Sequence, residues 1–268
     1  MHIVVPIKQV PETDQVRMDL ETGTMIRRGL AAIINPLDLY ALETALQIRE
    51  AQGGSITALS MGPLLAEKAL REALSLGCDK GVLLTDRKFA GSDTWATAYT
   101  LSQAVQRLEP VDLVICGERA TDGDTGQVGP GIAAFLDLPL ATYVDRILTV
   151  EPGGMRIRRM VENGSEILWT SFPAVLTVVK DIAHPRFPTL KQKLASKRTS
   201  IITWSSDDLE LQEENLGLKG SPTRVVKIDK PKLSRQSELI RAFAPEDIDQ
   251  AADRIIDYLH EHHFLEQR

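Results

Sequence analysis

Cysteine, aromatic residues and long apolar runs are all scarce in this chain of 268 residues. Its two cysteines, Cys78 and Cys116, have no C-x-x-C partner, so we predict no disulfide framework and expect a reducing, cytoplasmic compartment. No apolar run approaches the roughly 18 residues that a membrane-spanning helix needs, so no span is predicted. The N-terminus has neither a basic leader nor a small-residue cleavage site and is expected to form a first strand.

Basic charge is also in deficit, since 31 Lys and Arg stand against 37 Asp and Glu, a formal charge of −6. A net acidic chain lacks the electrostatic signature of a protein whose main partner is nucleic acid. With 43% hydrophobic and 25% charged residues, the composition predicts a globular protein with one large domain, with or without an appendage. Five of the cations nevertheless lie in residues 184–198, which contain no Asp or Glu. This segment predicts a local basic surface.

Familiar catalytic and nucleotide-binding motifs are missing as well. The chain has no G-x-G-x-x-G, no G-x-x-x-x-G-K-[ST], no G-x-S-x-G and no H-E-x-x-H. The run His260-Glu261-His262-His263 does not place two histidines at i and i+4, so we predict no metal site. No Ser or Cys is recognisable as an activated nucleophile. We therefore assign no catalytic residue and leave open whether the chain is itself an enzyme.

Short β-branched runs alternate with longer helical stretches along the first 180 residues. Runs bounded by Gly, Pro or charge are typical of strands buried on both faces, and they occur at residues 3–7, 56–60, 82–85, 111–116 and 175–179. Helices are predicted to begin at Asn35-Pro36, at Pro63, at Ser92 or Asp93, and at Gln127. This alternation predicts an α/β fold, a Rossmann-like doubly wound and mainly parallel sheet with helices on both faces.

Two hairpin regions and a C-terminal arm depart from this alternation. Residues 16–19 and 24–26 predict one hairpin, and residues 147–150, 155–161 and 166–170 predict antiparallel strands at a sheet edge. We place a nucleotide-binding domain at residues 1–204 and an extended arm at residues 205–268, because residues 205–235 are acidic and contain Gly and Pro. The arm ends in an amphipathic helix, which is predicted to dock either on its own domain or on a partner subunit.

A glycine-rich segment, residues 117–131, follows the strand at residues 111–116 and is the strongest candidate site. A loop of this kind lets backbone N–H groups approach a phosphate at a helix N-terminus. Because Asp122 and Asp124 would repel a phosphate, we expect them to cap the helix, accept from ribose hydroxyls or orient the loop. Three further loops, at residues 6–8, 35–38 and 60–63, are expected to reach the same crevice. A tight turn without a ligand is the alternative.

These segments together resemble the β subunit of electron-transfer flavoproteins. The resemblance covers nearly the whole chain in order and rests on residues 3–11, 35–45, 61–63 and above all 120–130. It implies a heterodimer with an α subunit that carries FAD, and a second nucleotide in the β subunit. That nucleotide is FAD reducible by NADH in electron-bifurcating members and structural AMP in simple carriers. The loop Thr-Asp-Gly-Asp-Thr followed by Gln-Val-Gly-Pro is similar to the bifurcating branch, so FAD is expected, with AMP as the alternative.

The resemblance also carries over a set of nucleotide contacts. Proline at position 6 has no N–H, so its contact would be through the backbone carbonyl. The flavin itself supplies the redox chemistry, and the surrounding residues are expected to bind it and tune its potential. The predicted contacts are Pro6, Asn35, Pro36, Leu37, Asp38, Met61, Ala120, Thr121, Asp122, Gly123, Asp124, Thr125, Gly126, Gln127, Val128, Gly129, Pro130 and Gly131.

The basic segment at residues 184–198 resembles the recognition loop with which the family docks dehydrogenases. Apolar anchors ringed by charge suit a transient interface, whereas a solvated basic helix face is the alternative. The predicted docking residues are Arg186, Phe187, Leu190, Lys191, Lys193, Leu194, Lys197 and Arg198. Expected partners are the α subunit, a flavin dehydrogenase of the lactate or acyl-CoA type, and ferredoxin or flavodoxin as the low-potential acceptor. A non-redox nucleotide-binding module of the stress-protein kind explains neither this segment nor the arm and is disfavoured.

Overall fold

The computed structural model describes residues 1–12, 32–108, 110–225 and 239–264, together with the backbone at 17–18 and 25–26. The strands are β1 (His2–Pro6), β2 (Gln9–Pro11), β3 (Arg17–Met18), β4 (Met25–Ile26), β5 (Ala32–Ile34), β6 (Ser55–Met61), β7 (Lys80–Leu84), β8 (Leu113–Gly117), β9 (Leu140–Glu151), β10 (Gly154–Val161), β11 (Gly164–Ser171), β12 (Ala174–Val178) and β13 (Ile201–Trp204). The helices are α1 (Pro36–Gln52), α2 (Glu67–Leu76), α3 (Thr94–Arg107), α4 (Val128–Leu136), α5 (Leu190–Ser196), α6 (Gly217–Gly220) and α7 (Pro245–Glu261).

Nine strands form one sheet in the order β11-β10-β9-β12-β8-β1-β6-β7-β13. The seven strands from β9 to β13 in this order are parallel, and β10 is antiparallel to both of its neighbours. At the centre, Val4 of β1 pairs with Thr57 of β6 on one side and with Val114 of β8 on the other. The predicted α/β class, the mainly parallel sheet and the antiparallel edge are confirmed.

Helices cover both faces of this sheet, as the uniformly apolar central strands require. On one face, Leu42 and Leu46 of α1 and Leu70 of α2 are buried in a single apolar cluster. On the other face, Leu101 of α3 and Ile132 of α4 are buried in a second cluster. From β1 the chain crosses through α1 to β6, and from β8 it crosses through α4 to β9 on the opposite side. The crossover direction therefore reverses between β1 and β8.

The helix starts follow from local chemistry at three of the four predicted positions. Helix α1 begins at Pro36, directly after Asn35. Asp93 caps α3, since its Oδ1 accepts hydrogen bonds from the backbone N–H groups of Trp95 and Ala96 at 3.0 and 3.1 Å. Helix α4 begins one residue after Gln127. At the fourth position, Pro63 has extended backbone and precedes a single 3₁₀ turn, so that α2 begins only at Glu67.

Both predicted hairpin regions form antiparallel pairs. In the first, Arg17 pairs with Ile26 and Met18 with Met25, while the predicted turn between them lies outside the described residues. In the second, β9, β10 and β11 form a meander whose register runs from the pair of Gly154 with Ser171 to the pair of Val161 with Gly164. This meander is the edge that was predicted to be antiparallel.

The boundary expected after residue 204 differs from the compact units in the structure, which are Met1–Val226 and Lys227–Arg268. Residues 205–225 pack on the first unit instead of extending from it. The Ser206 hydroxyl donates to Asp86 Oδ2 at 2.6 Å, and the Thr223 hydroxyl donates to Asp93 Oδ2 at 2.7 Å. Leu216 is buried in the cluster beneath α3. These anchors are spaced too widely to give a periodic pattern in an acidic, glycine-containing segment.

The second unit contains the predicted C-terminal amphipathic helix. It is α7, and its apolar residues Ile248, Ile255 and Ile256 are 59, 56 and 47% exposed. Docking of α7 on a partner stays a prediction. Among the described residues, none of the helices combines the length and the apolar character that crossing a bilayer requires.

Candidate functional site

An open α/β sheet of this kind binds ligands in the crevice between the carboxyl ends of β1 and β8, because the connections that follow these two strands leave the sheet in opposite directions there. Strand β1 ends at Pro6 and β8 ends at Gly117. Hydrogen bonds at this point join three parts of the chain, namely Lys8 after β1, the start of α1 and the loop after β8. The structure thus brings most of the predicted contact residues to one edge of the sheet.

The two aspartates of the glycine-rich loop are each paired with a cation. Lys8, just after β1, donates from Nζ to Asp122 Oδ1 at 2.7 Å, and Arg119 Nε lies 2.9 Å from Asp124 Oδ1. These cations weaken the repulsion that the two aspartates would exert on an anionic ligand, although Arg119 also pairs with Glu118 at 3.5 Å. Of the three roles predicted for the two aspartates, the contacts support orientation of the loop. Lys8 belongs to a loop that the sequence places at this crevice, but it is absent from the predicted nucleotide contacts, and its pairing with Asp122 was not predicted.

Asn35 and Asp38 lie inside the protein at the start of α1, and they are 0 and 6% exposed. Asp38 accepts from the Lys8 backbone N–H at 2.7 Å and from Asn35 Nδ2 at 2.9 Å. Burial raises the pKa of Asp38 to about 7, while these two N–H donors act in the opposite direction. Asn35 Nδ2 also donates to the Arg119 carbonyl at 2.9 Å, and Asn35 Oδ1 accepts from the Thr121 N–H at 3.1 Å.

Three glycines of the candidate segment are explained by close packing. A Cβ on Gly117 would lie 2.5 Å from Asp38 Oδ1, and one on Gly129 would lie 2.6 Å from Thr177 Cγ2. A Cβ on Gly131 would meet α3 at 2.6 Å. These positions let α1 and α4 approach the sheet and α3 closely. The three glycines therefore set the positions of the helices around the crevice.

Two other glycines form the exposed turn of the loop. Gly126 has a φ of +64°, in the left-handed region that favours glycine, and the preceding Asp124 has a φ of +52°. A Cβ on Gly123 would meet nothing within 4 Å. The turn therefore presents backbone toward open space, and a bound group could approach it closely.

The N-terminus of α4 follows this turn and has no side-chain cap. Gln127, at the N-cap position, instead accepts through Oε1 from the Thr94 hydroxyl at 2.9 Å. The first N–H groups of a helix need an external acceptor and carry partial positive charge. With an uncapped nine-residue helix beside an open glycine turn, the residues present fit a phosphate-bearing nucleotide.

The remaining predicted contacts lie around this centre. Pro6 is buried at the end of β1, and Met61 is half-buried at the end of β6. Leu37 and Ala120 are half-buried, whereas Pro36, Thr121 and Thr125 are exposed. Within the described part of the chain, no group of three or more His, Cys, Asp or Glu residues is arranged to hold a metal ion.

Arg186, predicted to dock a partner, is anchored to α1. Its guanidinium lies 2.8 Å from Glu43 Oε2 and also pairs with Glu50. Glu43 is 5% exposed; its burial raises the pKa, but hydrogen bonds from Arg186 and Gln47 outweigh that effect and lower it. Hydrogen bonding from Arg186 likewise lowers the pKa of Glu50. Arg186 thus fixes the start of the basic segment on the domain.

The apolar residues of the basic segment remain outside the core. Phe187, Leu190 and Leu194 are 94, 74 and 54% exposed. Helix α5, which carries both leucines, has a capping box at Thr189, and Arg71 of α2 donates to the carbonyls of residues 196 and 199, both at 2.7 Å. These hydrogen bonds attach the segment to α2, while its apolar anchors face outward.

Comparison with known proteins agrees with this architecture. A family model described as "Electron transfer flavoprotein domain" matches residues 22–209. The chain is 45% identical over 268 residues to the electron transfer flavoprotein subunit beta of Thermoanaerobacterium thermosaccharolyticum, covering 99% of this chain and 100% of that relative. It is 42% identical over 274 residues to protein FixA of Azotobacter vinelandii, covering 100 and 98% of the two chains. It is 38% identical over 266 residues to the caffeyl-CoA reductase-Etf complex subunit CarD of Acetobacterium woodii, covering 99 and 100%. The chain belongs to the electron transfer flavoprotein family, as a β subunit.

Proposed function

We propose that this β subunit binds FAD in the crevice between β1 and β8 and, paired with an α subunit that carries its own FAD, bifurcates electrons from NADH. The observation that carries the proposal is the uncapped N-terminus of α4 beside the open turn at residues 123–126. The ion pairs of Asp122 with Lys8 and of Asp124 with Arg119 support it, because they offset part of the negative charge of this loop.

The residues of this chain bind and orient the nucleotide. The first N–H groups of α4 would hold the pyrophosphate, and the exposed hydroxyls of Thr121 and Thr125 would donate to its polar edges. The hydrogen bond from Thr94 fixes the orientation of the Gln127 amide at the same helix end. When bound, FAD would accept hydride from NADH and pass electrons singly to two acceptors, one of low potential and one through the α-subunit FAD.

The choice of FAD over AMP rests on the loop at residues 121–130, which resembles the bifurcating branch of the family. A β subunit with structural AMP would make the heterodimer a simple carrier, and this remains the second candidate. The relative whose name places it in a caffeyl-CoA reductase complex supports a flavin dehydrogenase of the acyl-CoA type as partner. A lactate-type dehydrogenase and ferredoxin or flavodoxin are retained as the other proposed partners.

We assign docking of the dehydrogenase to the exposed face of residues 187–198. Phe187, Leu190 and Leu194 provide its apolar centre, and the exposed Lys191 and Lys193 surround them with positive charge. Because Arg186 is committed to Glu43 and Glu50, its role in this proposal is to anchor the segment. The amphipathic helix α7 is proposed to dock on the α subunit through its apolar face.

Valine at Gly126 tests the placement of the nucleotide. At a φ of +64° a β-branched residue is strained, so we expect Gly126→Val in the co-purified heterodimer to release the β-subunit nucleotide and retain the α-subunit FAD. FAD and AMP are counted after acid release. Gly153→Val is the matched control, because Gly153 has a φ of +88° and no neighbour within 4 Å but lies in the turn between β9 and β10. Equal nucleotide content in the two variants would contradict the proposed site.

A further inference from the structure

Asp38 is a buried carboxylate whose two oxygens are both committed to donors of this chain. Oδ2 accepts from the Lys8 N–H at 2.7 Å and Oδ1 accepts from Asn35 Nδ2 at 2.9 Å. Its surroundings are closed, since it is only 6% exposed and the backbone of Gly117 approaches so closely that an added Cβ would lie 2.5 Å from Oδ1. Little of this side chain is therefore open to a bound nucleotide.

Asn35 connects Asp38 to the loop after β8. Its Nδ2 has two hydrogens, which are donated to Asp38 Oδ1 and to the Arg119 carbonyl, each at 2.9 Å. Its Oδ1 accepts from the Thr121 N–H at 3.1 Å. The acceptors on one side and the donor on the other fix the orientation of the amide. Asn35 is fully buried and has no N–H left for a ligand.

Lys8 closes the same network from the other side of the crevice. Its backbone N–H is held by Asp38, and its side chain donates to Asp122 Oδ1 at 2.7 Å. The loop at residues 119–122 is therefore tied to β1 and α1 at three points, namely the Arg119 carbonyl, the Thr121 N–H and the Asp122 carboxylate. Each tie leads back to Asp38 through one residue, either Asn35 or Lys8.

We propose that Asp38 is a positioning residue of the nucleotide site, which acts through Asn35 and Lys8 to hold the loop at residues 119–122 across the crevice and makes no contact with the ligand. The proposal rests on the proposed function, since it concerns the same site. It revises the direct contacts that the resemblance implies for Asn35 and Asp38.

Asp38→Asn perturbs this network without changing the size of the side chain. An amide at this position has one acceptor oxygen, so either orientation leaves an N–H facing another N–H, of Lys8 or of Asn35. We expect the affinity of the heterodimer for FAD, or for AMP if AMP is the resident nucleotide, to fall by about tenfold or more. We also expect faster hydrogen exchange at the Thr121 N–H in the nucleotide-free heterodimer.

Asp79→Ala is the control for a general loss of stability, because it removes both hydrogen bonds that this carboxylate accepts. Asp79 Oδ2 also accepts from a backbone N–H, of Ile56 at 2.7 Å, and from Arg49 at 3.0 Å, but it lies at the opposite edge of the sheet. This control variant is expected to lower the melting temperature while leaving both the nucleotide affinity and the hydrogen exchange at the Thr121 N–H unchanged. A general loss of stability would affect the site equally in both variants.

Asn35→Ala distinguishes positioning from contact. When Asn35 is alanine, the amide of Asp38→Asn can turn its oxygen to the Lys8 N–H and meets no second donor. Adding Asp38→Asn to Asn35→Ala should therefore change the nucleotide affinity by less than about twofold. If the double variant instead loses affinity by the product of the two single losses, Asp38 contacts the ligand directly, and the proposal is overturned. If Asp38→Asn yields no heterodimer, retention of wild-type affinity by Asn35→Ala overturns it instead.

The failure of this inference is distinct from failure of the proposed function. Wild-type heterodimer that binds neither FAD nor AMP would refute the proposed function and the positioning role together. Wild-type binding with unchanged affinity and exchange in Asp38→Asn would refute the positioning role alone.

Discussion

Replacing Gly117 with alanine is expected to destabilise the protein, although the change adds one methyl group. The new Cβ would lie 2.5 Å from Asp38 Oδ1 and 2.8 Å from the Leu37 carbonyl carbon, where ordinary contacts are 3.4–4 Å. Asp38 cannot move aside freely, because hydrogen bonds of 2.7 and 2.9 Å hold both of its oxygens. The start of α1 or the end of β8 must shift instead.

The expected cost is that of overpacking a well-packed interior, about 1–3 kcal/mol. For a domain of this size, each kcal/mol corresponds to about 2–4 °C in melting temperature. Gly117→Ala should therefore melt about 2–12 °C below the wild type when the heterodimer is followed by scanning calorimetry. The shift of α1 should also weaken retention of the β-subunit nucleotide.

Gly123→Ala is the matched control within the same segment. Its Cβ would meet nothing within 4 Å, and its backbone is not in the left-handed region. We expect a melting temperature within about 1 °C of wild type. Equal melting of the Gly117 and Gly123 variants would refute the view that Gly117 is required by the close approach of α1.

Further predictions concern charge and docking. Arg186→Ala leaves the buried Glu43 carboxylate without its guanidinium partner and should cost about 1–3 kcal/mol in denaturant unfolding. Because the hydrogen bonds from Arg186 hold the pKa of Glu43 below 4.5, this contribution should be present above pH 4.5 and be lost as the pH falls through the lowered pKa. Burial raises the pKa of Asp38 from 3.8 to about 7. As the pH rises between these two values, the free energy of unfolding of the wild type should therefore fall, relative to that of Asp38→Asn, by up to about 1.4 kcal/mol per pH unit. The free energy of unfolding of both proteins is measured at several pH values. A slope that is identical in the two proteins would contradict this. Leu190→Ala should slow electron transfer to the dehydrogenase at unchanged flavin content, whereas Ile167→Ala, 57% exposed on β11, should not; equal rates would remove Leu190 from the docking surface.

Much of the fold is readable from local pattern, because the alternating strands and helices are each specified by neighbouring residues. Strand β13 was not predicted. It has four residues, Ile201–Trp204, and its strand character depends on pairing with β7. The packing of residues 205–225 was also missed, because the hydrogen bonds that hold it join residues 120 and 130 positions apart. Contacts at this separation leave no periodic trace in the sequence.

The candidate site could likewise be predicted only in part. The glycine-rich loop could be recognised as a strand-to-helix turn, and the topology places it at the switch point. The roles of its members depend on neighbours that are distant in the chain: Gly117 faces Asp38, and Asp122 pairs with Lys8. Arg186, which the basic segment indicated as a docking residue, is held by Glu43 from 143 positions away. A resemblance can place such residues in a site without showing which of them touch the ligand.

The most direct test of the proposed function is to count nucleotides in the wild-type heterodimer, co-expressed with its α subunit, after acid release. The account predicts two FAD per heterodimer and no AMP, with one FAD lost in Gly126→Val. One FAD with one AMP would contradict bifurcation at this site and make the protein a simple electron carrier.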